Sequence, residues 1–155
     1  MVDPAARPAT LLPPPLIYAV ILFAAWWLNT QWPWPLDLGR AGHVVAWVLI
    51  ALGVAGFAWA LSAIWGHQTT VNPYKAASTL VTGGPFHYSR NPIYVSDWLV
   101  YAGVTLLLQT FWPVVFVPLV WVLMRYFVIA YEEVHLQAKF GDAYSEYITR
   151  VHRWL

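Results

Sequence analysis

Long apolar segments run through most of this chain, and they constrain its fold more than any other feature. A helix needs about 20 apolar residues to cross a bilayer. Four segments approach that length, at about residues 16–32, 43–65, 93–109 and 113–131. Only 10% of the residues are charged, whereas a soluble domain carries about 25%. The sequence therefore predicts an all-α integral membrane protein with about four transmembrane helices, forming a single domain over residues 1–155 in a lipid bilayer.

The segments differ in detail. Gly53 and Gly56 in the second segment suit close contact with another helix. Pro118 in the fourth is tolerable where neighbours satisfy the carbonyl group that it frees. The tail after the fourth segment has helical spacing and many polar residues. It predicts a C-terminal cytoplasmic or interfacial helix over residues 132–150.

Basic residues give the predicted spans an orientation. Four spans place both termini, and the loop between the second and third spans, on one side. Seven of the eight Lys and Arg residues fall on or near that side, and only Arg40 falls on the other. Basic residues favour the cytoplasmic side. We therefore expect both termini, and the polar regions 67–92 and 132–155, in the cytoplasm.

Several kinds of site are excluded or disfavoured. The chain has no cysteine, which excludes disulfides, thiolate metal sites and a cysteine nucleophile. The net charge of +1 gives no indication of a nucleic-acid partner, the sequence shows no basic stripe, and no such partner is expected. No pair of the five histidines has metal-binding spacing, so no metal site is predicted. If a histidine acts as a catalytic base, His87 is the first candidate.

Two short polar motifs flank the last two apolar segments. The first reads GGPFHYSRNPIY over residues 83–94, and the second begins with Glu132 and Glu133. The segments between them are a predicted hairpin that turns near Phe111. Asn91 lies twenty residues before Phe111 and Glu132 twenty-one after it, so both reach a similar depth at equal rise per residue. The motifs are therefore predicted to meet at one membrane face.

Two charges inside the hairpin need an explanation. Asp97 and Arg125 each lie fourteen residues from the turn, and lone charges inside a membrane are usually paired or functional. We expect these two side chains to face each other or a shared polar cavity. Arg125 is also expected to share a helix face with Glu132, seven residues later. The alternative is that Arg125 extends to the cytoplasmic interface.

At these motifs the chain resembles the isoprenylcysteine carboxyl methyltransferase and phospholipid methyltransferase superfamily, most closely its short bacterial members. The resemblance rests on LVTGGPFHYSRNPIY, on EE, and on FG-x-x-Y-x-x-Y with a near-terminal Arg, and it covers about residues 69–155. It implies S-adenosylmethionine as methyl donor, S-adenosylhomocysteine as product and a bacterial inner-membrane location. The family's usual core is Arg-His-Pro-x-Tyr. Asn91 stands in the place of His here and cannot act as a base near neutral pH.

The acidic pair is the expected anchor for the ammonium group of the donor. Adjacent carboxylates on a helix point about 100° apart, so one of the two is expected to contact the cofactor. Glu132 is favoured because of the face that it shares with Arg125. Glu133 is then expected to pair with Arg90 or Arg150. The alternative is a solvated helix start, where acidic residues are common.

The resemblance implies further contacts. Glycine has no Cβ and lets a backbone approach a ligand closely, although Gly-Gly-Pro is often only a turn. The expected cofactor-binding residues are Leu80, Val81, Thr82, Gly83, Gly84, Tyr88, Arg90, Asn91, Tyr94, Glu132 and Glu133. The expected catalytic residues are Arg90, Asn91 and Arg153. Thr69, Thr70 and Asn72 are expected at the entrance, and Phe140, Gly141, Tyr144 and Tyr147 in a lid. The alternatives are interfacial anchoring for the tyrosines and orientation or helix capping for the arginines.

The acceptor is constrained only by its chemistry. A carboxylate accepts a methyl group without a base, whereas an amine or a hydroxyl must be deprotonated. Because no dedicated base is evident, the sequence favours a carboxylate on a hydrophobic or lipid-like acceptor that enters from the bilayer. Two alternatives stay open: an NADPH-dependent membrane reductase of the sterol-reductase type, and a non-catalytic membrane scaffold. The oligomeric state is not set by the sequence.

Overall fold

A computed structural model describes residues 13–66 and 79–155, which form helices and no strand. The α-helices in these ranges are α1 (Pro14–Gln31), α2 (Gly39–Gly66), α3 (Pro92–Leu108), α4 (Trp112–Val115), α5 (Val117–Val122), α6 (Ala130–Phe140) and α7 (Asp142–Arg150). A 3-10 turn at Gly84–His87 precedes α3, and a π-helical segment at Leu123–Ile129 joins α5 to α6. The all-α prediction is confirmed for the described part of the chain.

α2 corresponds to the second predicted span. It contains 28 residues and an 18-residue window with a mean hydropathy of 2.3. At 1.5 Å per residue it extends about 42 Å, more than the roughly 30 Å of bilayer hydrocarbon. Among the described helices it is the one that is long and apolar enough to cross a membrane by these criteria, while α3 is apolar but shorter. The count of four spans therefore stays a prediction.

α2 and α3 pack closely because small residues line their interface. A Cβ atom added at Gly53 would lie 2.7 Å from the Ser96 carbonyl oxygen, and one added at Gly56 would lie 2.7 Å from the Ser96 hydroxyl oxygen. On α3, a Cβ added at Gly103 would lie 2.7 Å from the Ala46 carbonyl oxygen. No side chain fits at these distances. The close helix contact predicted at Gly53 and Gly56 is confirmed.

The hairpin turn lies where the sequence placed it. Gln109 has a φ of 51° and ends α3 in a left-handed conformation. The next residue, Thr110, donates a 2.9 Å hydrogen bond to the Asn29 side chain, and the Trp34 N–H donates to the same oxygen at 3.0 Å. The Phe111 N–H in turn donates to the Trp34 carbonyl. These bonds fasten the turn to the loop between α1 and α2.

The fourth apolar segment is not one uninterrupted α-helix. Pro113 and Pro118 lie in the first turns of α4 and α5, where a missing N–H removes no helical hydrogen bond. The chain then continues through the π segment into α6, so the polar residues follow the apolar ones without a break. α1 packs against α3, α4 and α5. Their shared core buries Tyr18, Tyr101 and Met124.

The C-terminal polar region forms two helices instead of the one predicted. Gly141 ends α6 with φ 49° and ψ −121°, a conformation that glycine adopts far more easily than other residues. α7 then turns back toward the loop that precedes α3. Its Tyr144 and Tyr147 are buried with Leu80 and Phe140.

Candidate active site

The two polar motifs meet where α3 and α6 begin. The Tyr94 hydroxyl, in the first turn of α3, donates a 2.6 Å hydrogen bond to Oε1 of Glu132, in the first turn of α6. Tyr94 is buried. The convergence that the residue count predicted is confirmed by this contact.

Glu133 is held between two arginines. Its carboxylate accepts two hydrogen bonds from Arg153, at 2.8 Å from Nε and 2.6 Å from Nη2. Nη1 of Arg90 lies 3.3 Å from the same carboxylate. Such two-point contacts between Arg and a carboxylate are among the stronger side-chain interactions. Of the two expected partners, Arg90 pairs with Glu133, whereas Arg150 pairs with Glu146 on the exposed side of α7.

The segment after α7 is fastened to the residues that precede α3. The Arg90 N–H donates a 2.9 Å bond to the His152 carbonyl. The side-chain amide of Asn91 donates a 2.9 Å bond to the Arg153 carbonyl. Asn91 also uses its own N–H to bond the Ser89 hydroxyl. Asn91 therefore acts as a hydrogen-bond donor that fixes the backbone of Arg153.

The glycine turn packs against the end of α2. Gly84 has a φ of 60°, and a Cβ added there would lie 3.3 Å from the Ala63 Cβ atom. The Tyr147 hydroxyl donates a 2.6 Å bond to the Phe86 carbonyl, which ties α7 to this turn. Leu80 and Val81 lie partly or fully buried beside it, while Thr82 is exposed. The residues expected at the entrance, Thr69, Thr70 and Asn72, lie outside the described residues.

Tyr88 lies apart from these contacts. Its side chain is exposed, and its ring centre is 6.2 Å from that of Trp59 on α2. His87 packs edge-on against it. This environment agrees with the alternative of interfacial anchoring, and the contact of Tyr88 with the cofactor stays a prediction.

The two carboxylates differ in their electrostatic surroundings. Glu132 lies just beyond the fourth predicted span, and burial raises the pKa of its carboxyl group to about 7. The hydrogen bond from Tyr94 opposes this rise, and the charge of Glu133 adds to it. The pKa of Arg153 is raised, chiefly by its hydrogen bonds to Glu133. Glu133 is thus engaged in ion pairs with Arg90 and Arg153, whereas Glu132 is close to its titration midpoint near neutral pH.

The expected pairing of Asp97 with Arg125 is not formed. The guanidinium carbon of Arg125 lies 5.3 Å from the ring centre of Trp121 and 5.7 Å from that of Tyr126, an arrangement that favours a cation. Arg125 belongs to the π segment, where counting residues at α-helical spacing no longer gives the helix face. The shared face with Glu132 was wrong for the same reason. Oδ2 of Asp97 is buried and has no hydrogen-bond partner among the described residues.

His135 is a residue that the sequence reasoning did not select. Its side chain is buried, and Nε2 has no hydrogen-bond partner in the described part of the chain. It follows Glu132 by three residues on α6, and that spacing was the only available signal. His87, the base candidate from the sequence, is exposed. No group of three potential metal ligands occurs within residues 13–66 and 79–155.

Comparison with protein families finds one match. Residues 41–143 match the family described as phospholipid methyltransferase. The match covers α2, the glycine turn, the hairpin and the acidic pair, and it leaves out α1 and most of α7. Neither the curated proteins nor the solved structures contain a significant match. The family match spans more than half of the chain, and together with the long apolar helix it indicates association with a membrane. The chain belongs to the phospholipid methyltransferase family, a family of methyltransferases that act on lipid-like substrates.

Proposed function

We propose that this protein transfers a methyl group from S-adenosylmethionine to a lipid-like or small hydrophobic acceptor at the cytoplasmic face of a membrane. In this proposal the four apolar segments cross the bilayer, both termini are cytoplasmic, and the whole chain forms one methyltransferase domain. The family match supports the reaction class. The excess of basic residues on the side of the site supports the orientation.

One observation carries the proposal: Glu132 and Arg90 are oppositely charged groups that each keep capacity for a ligand. The hydrogen-bond partner of Glu132 among the described residues is the neutral Tyr94 hydroxyl. Nε of Arg90 is buried and has no partner in the same part of the chain. The methionine moiety of the donor has an ammonium and a carboxylate, so these two residues suit its two charges. Glu133 is already neutralised by Arg153, which favours Glu132 as the anchor of the ammonium group.

The glycine turn supports the same assignment. Gly83 and Gly84 offer backbone without side chains in the segment that precedes Arg90, and the Tyr147 bond to Phe86 holds this segment in place. We propose that the backbone from Leu80 to Gly84 lies along the donor. A side chain at Gly84 would meet Ala63 on α2 at 3.3 Å, so this backbone keeps its place only with glycine there.

The chemistry asked of the protein is mainly alignment. The bound donor supplies a methyl group on a sulfonium, which is already activated for displacement. The protein's residues have to hold donor and acceptor in line and exclude water. A carboxylate acceptor needs no base, and Arg153, which is partly exposed, is the proposed group that orients it. An amine or hydroxyl acceptor would need a base, and His135 is then the better candidate than His87.

Calorimetric binding to the detergent-purified protein tests the cofactor. S-adenosylmethionine and S-adenosylhomocysteine are expected to bind, and Glu132→Gln should weaken both by more than about tenfold, which corresponds to about 1.4 kcal/mol. Glu146→Gln is the matched control, because Glu146 is an exposed acid whose ion-pair partner in the described part of the chain is Arg150. Binding of NADPH instead would support a reductase. If none of the three compounds binds, the result would support the alternative of a non-catalytic membrane scaffold.

The acceptor class has its own test. Membranes that contain the protein are incubated with methyl-labelled donor, and the lipid extract is treated with mild alkali. A carboxyl methyl ester releases labelled methanol, whereas a methylated amine or an ether keeps its label. Retained label would contradict the carboxylate acceptor and leave the methyltransferase assignment intact.

A further inference from the structure

The helix that leads to the acidic pair is not in the register that its sequence would give to an α-helix. In an α-helix each residue advances by about 100°, so Phe127 and Tyr131 would lie within about 20° of the direction of Val120, and Ile129 about 180° away. Val120 is fully buried, yet Phe127 is 46% exposed and Tyr131 is 44% exposed. Ile129 is only 1% exposed. The faces before and after residues 123–129 therefore do not belong to one continuous α-helix.

The π segment explains the change of face. The Ala130 N–H donates to the carbonyl of Arg125, five residues earlier, instead of four as in an α-helix. A turn of this kind takes up one additional residue. Taking up one residue shifts everything after it by about 100° relative to an α-helix, which brings Ile129 from about 180° to about 80°. The same shift moves Tyr131 to about 80° on the other side of Val120. The fully buried Met124 lies about 40° from Val120 on the side of Ile129, so Ile129 faces the buried side and Tyr131 does not.

The same shift sets the direction of the acidic pair. In an uninterrupted α-helix Glu132 would lie about 120° away from the direction of Val120, and with one residue taken up it lies about 20° away. Only the second direction allows the 2.6 Å bond from Tyr94 on α3. It also turns Glu133 toward Arg90 and Arg153.

Burial of apolar surface alone does not require the π turn. An uninterrupted α-helix would place Val120, Met124, Phe127 and Tyr131 on its inner face, and all four are apolar or aromatic. That helix would keep a regular hydrogen-bond ladder but would point Glu132 and Glu133 away from α3. π turns of this kind are frequent at functional sites. The consequence of the π turn is therefore the placement of the two carboxylates of Glu132 and Glu133.

We propose that Phe127 is the additional residue, that the π turn takes it up, and that this positions Glu132 and Glu133 in the site. The inference rests on the proposed function, because it gives the turn a role in holding the donor. The π turn does the positioning: the side chain of Phe127 faces outward, and removing Phe127 together with the turn would leave Glu132 in the same direction.

Cross-linking tests the register without reference to any ligand. The chain contains no cysteine, so each variant can carry one chosen cysteine pair and no other thiol. One variant combines Tyr94→Cys with Glu132→Cys. The matched control combines Tyr94→Cys with Tyr131→Cys. A short bifunctional thiol reagent should cross-link the first pair and not the second. Cross-linking through position 131 in preference to 132 would overturn the inference, because it would indicate the uninterrupted α-helix.

Binding by length variants tests the consequence for the site. Deleting Phe127 should turn the π turn into an α-helical one and leave Glu132 in place, so the affinity for S-adenosylmethionine should stay within about threefold, under about 0.7 kcal/mol. Inserting one Ala after Phe127 should rotate the pair away and weaken binding by more than about tenfold. Phe127→Ala controls for the lost side chain and should bind normally.

The outcomes separate the two proposals. Equal loss in the deletion and insertion variants, or equal tolerance of both, would overturn the positioning role. If the unmodified protein binds no donor, the proposed function fails. The cross-linking result then still decides whether the turn sets the register.

Discussion

In the proposed site Glu132 holds the ammonium group of S-adenosylmethionine only when its carboxyl group is ionised, so the affinity for this donor should fall as the pH drops. With a pKa of about 7, about three quarters of the Glu132 carboxyl is ionised at about pH 7.5 and about a tenth at about pH 6. Protons compete with the donor at this group, so the dissociation constant should rise about eightfold between these two values. The amino group of the donor stays mostly protonated below about pH 7.7 and contributes little.

Calorimetric titrations at the two pH values measure this effect directly. Glu132→Gln should bind more weakly at both values and lose the pH dependence, whereas Glu146→Gln should keep it. The groups that act on the pKa of Glu132 are Tyr94 and Glu133, and Glu133 forms ion pairs with Arg90 and Arg153. The reasoning would be refuted if the affinity of the wild-type protein did not change with pH, or if the affinity of Glu132→Gln still changed with pH.

Two further predictions concern stability and are measured by thermal unfolding in detergent. Arg153→Met should lower the free energy of unfolding by about 1–3 kcal/mol, because it leaves the partly buried Glu133 with one partner. Arg150→Met should cost less than about 0.5 kcal/mol, because it breaks only an exposed pair, and equal losses would contradict the role of Arg153. Gly103→Ala should cost about 1–3 kcal/mol because its Cβ has no space. Gly66→Ala, where a Cβ meets nothing within 4 Å, should be neutral or stabilising, and similar melting temperatures for the two variants would argue against tight α2–α3 packing.

The broad layout of the protein could be predicted because membrane sequences are strongly patterned. The four apolar segments lie within a few residues of α1, α2, α3 and the α4–α6 region. The turn near Phe111 follows from the prolines and polar residues around it. The contact between Tyr94 and Glu132 follows because the two motifs lie at nearly equal distances from the hairpin turn along two antiparallel segments. That residue count gives the depth of each motif and does not depend on which helix face a residue occupies.

The details that depend on helix face could not be predicted in the same way. The π segment leaves no obvious mark in the sequence, because Phe127, Val128, Ile129 and Tyr131 offer apolar side chains on either face. The pairing expected for Arg125 failed at this point. The bond from Asn91 to the Arg153 carbonyl was also missed, since it depends on how the chain folds back after Gly141. The path of the chain after Gly141 is set by the tertiary packing of α7, and no periodic pattern in the sequence indicates it.

α2 contacts α3 closely at Gly53, in the middle of the apolar region, so this contact can act as a pivot for the helix. The C-terminal end of α2 supports the glycine turn. Ala63, which lies 3.3 Å from the position that a Cβ on Gly84 would take, is ten residues along the helix from Gly53, or about 15 Å. A tilt of about 4° at the pivot would move Ala63 by about 1 Å, and a displacement of that size at reacting groups can cost about a hundredfold in rate. The position of α2 relative to the glycine turn therefore depends partly on Gly53, where a side chain would push α2 away from α3.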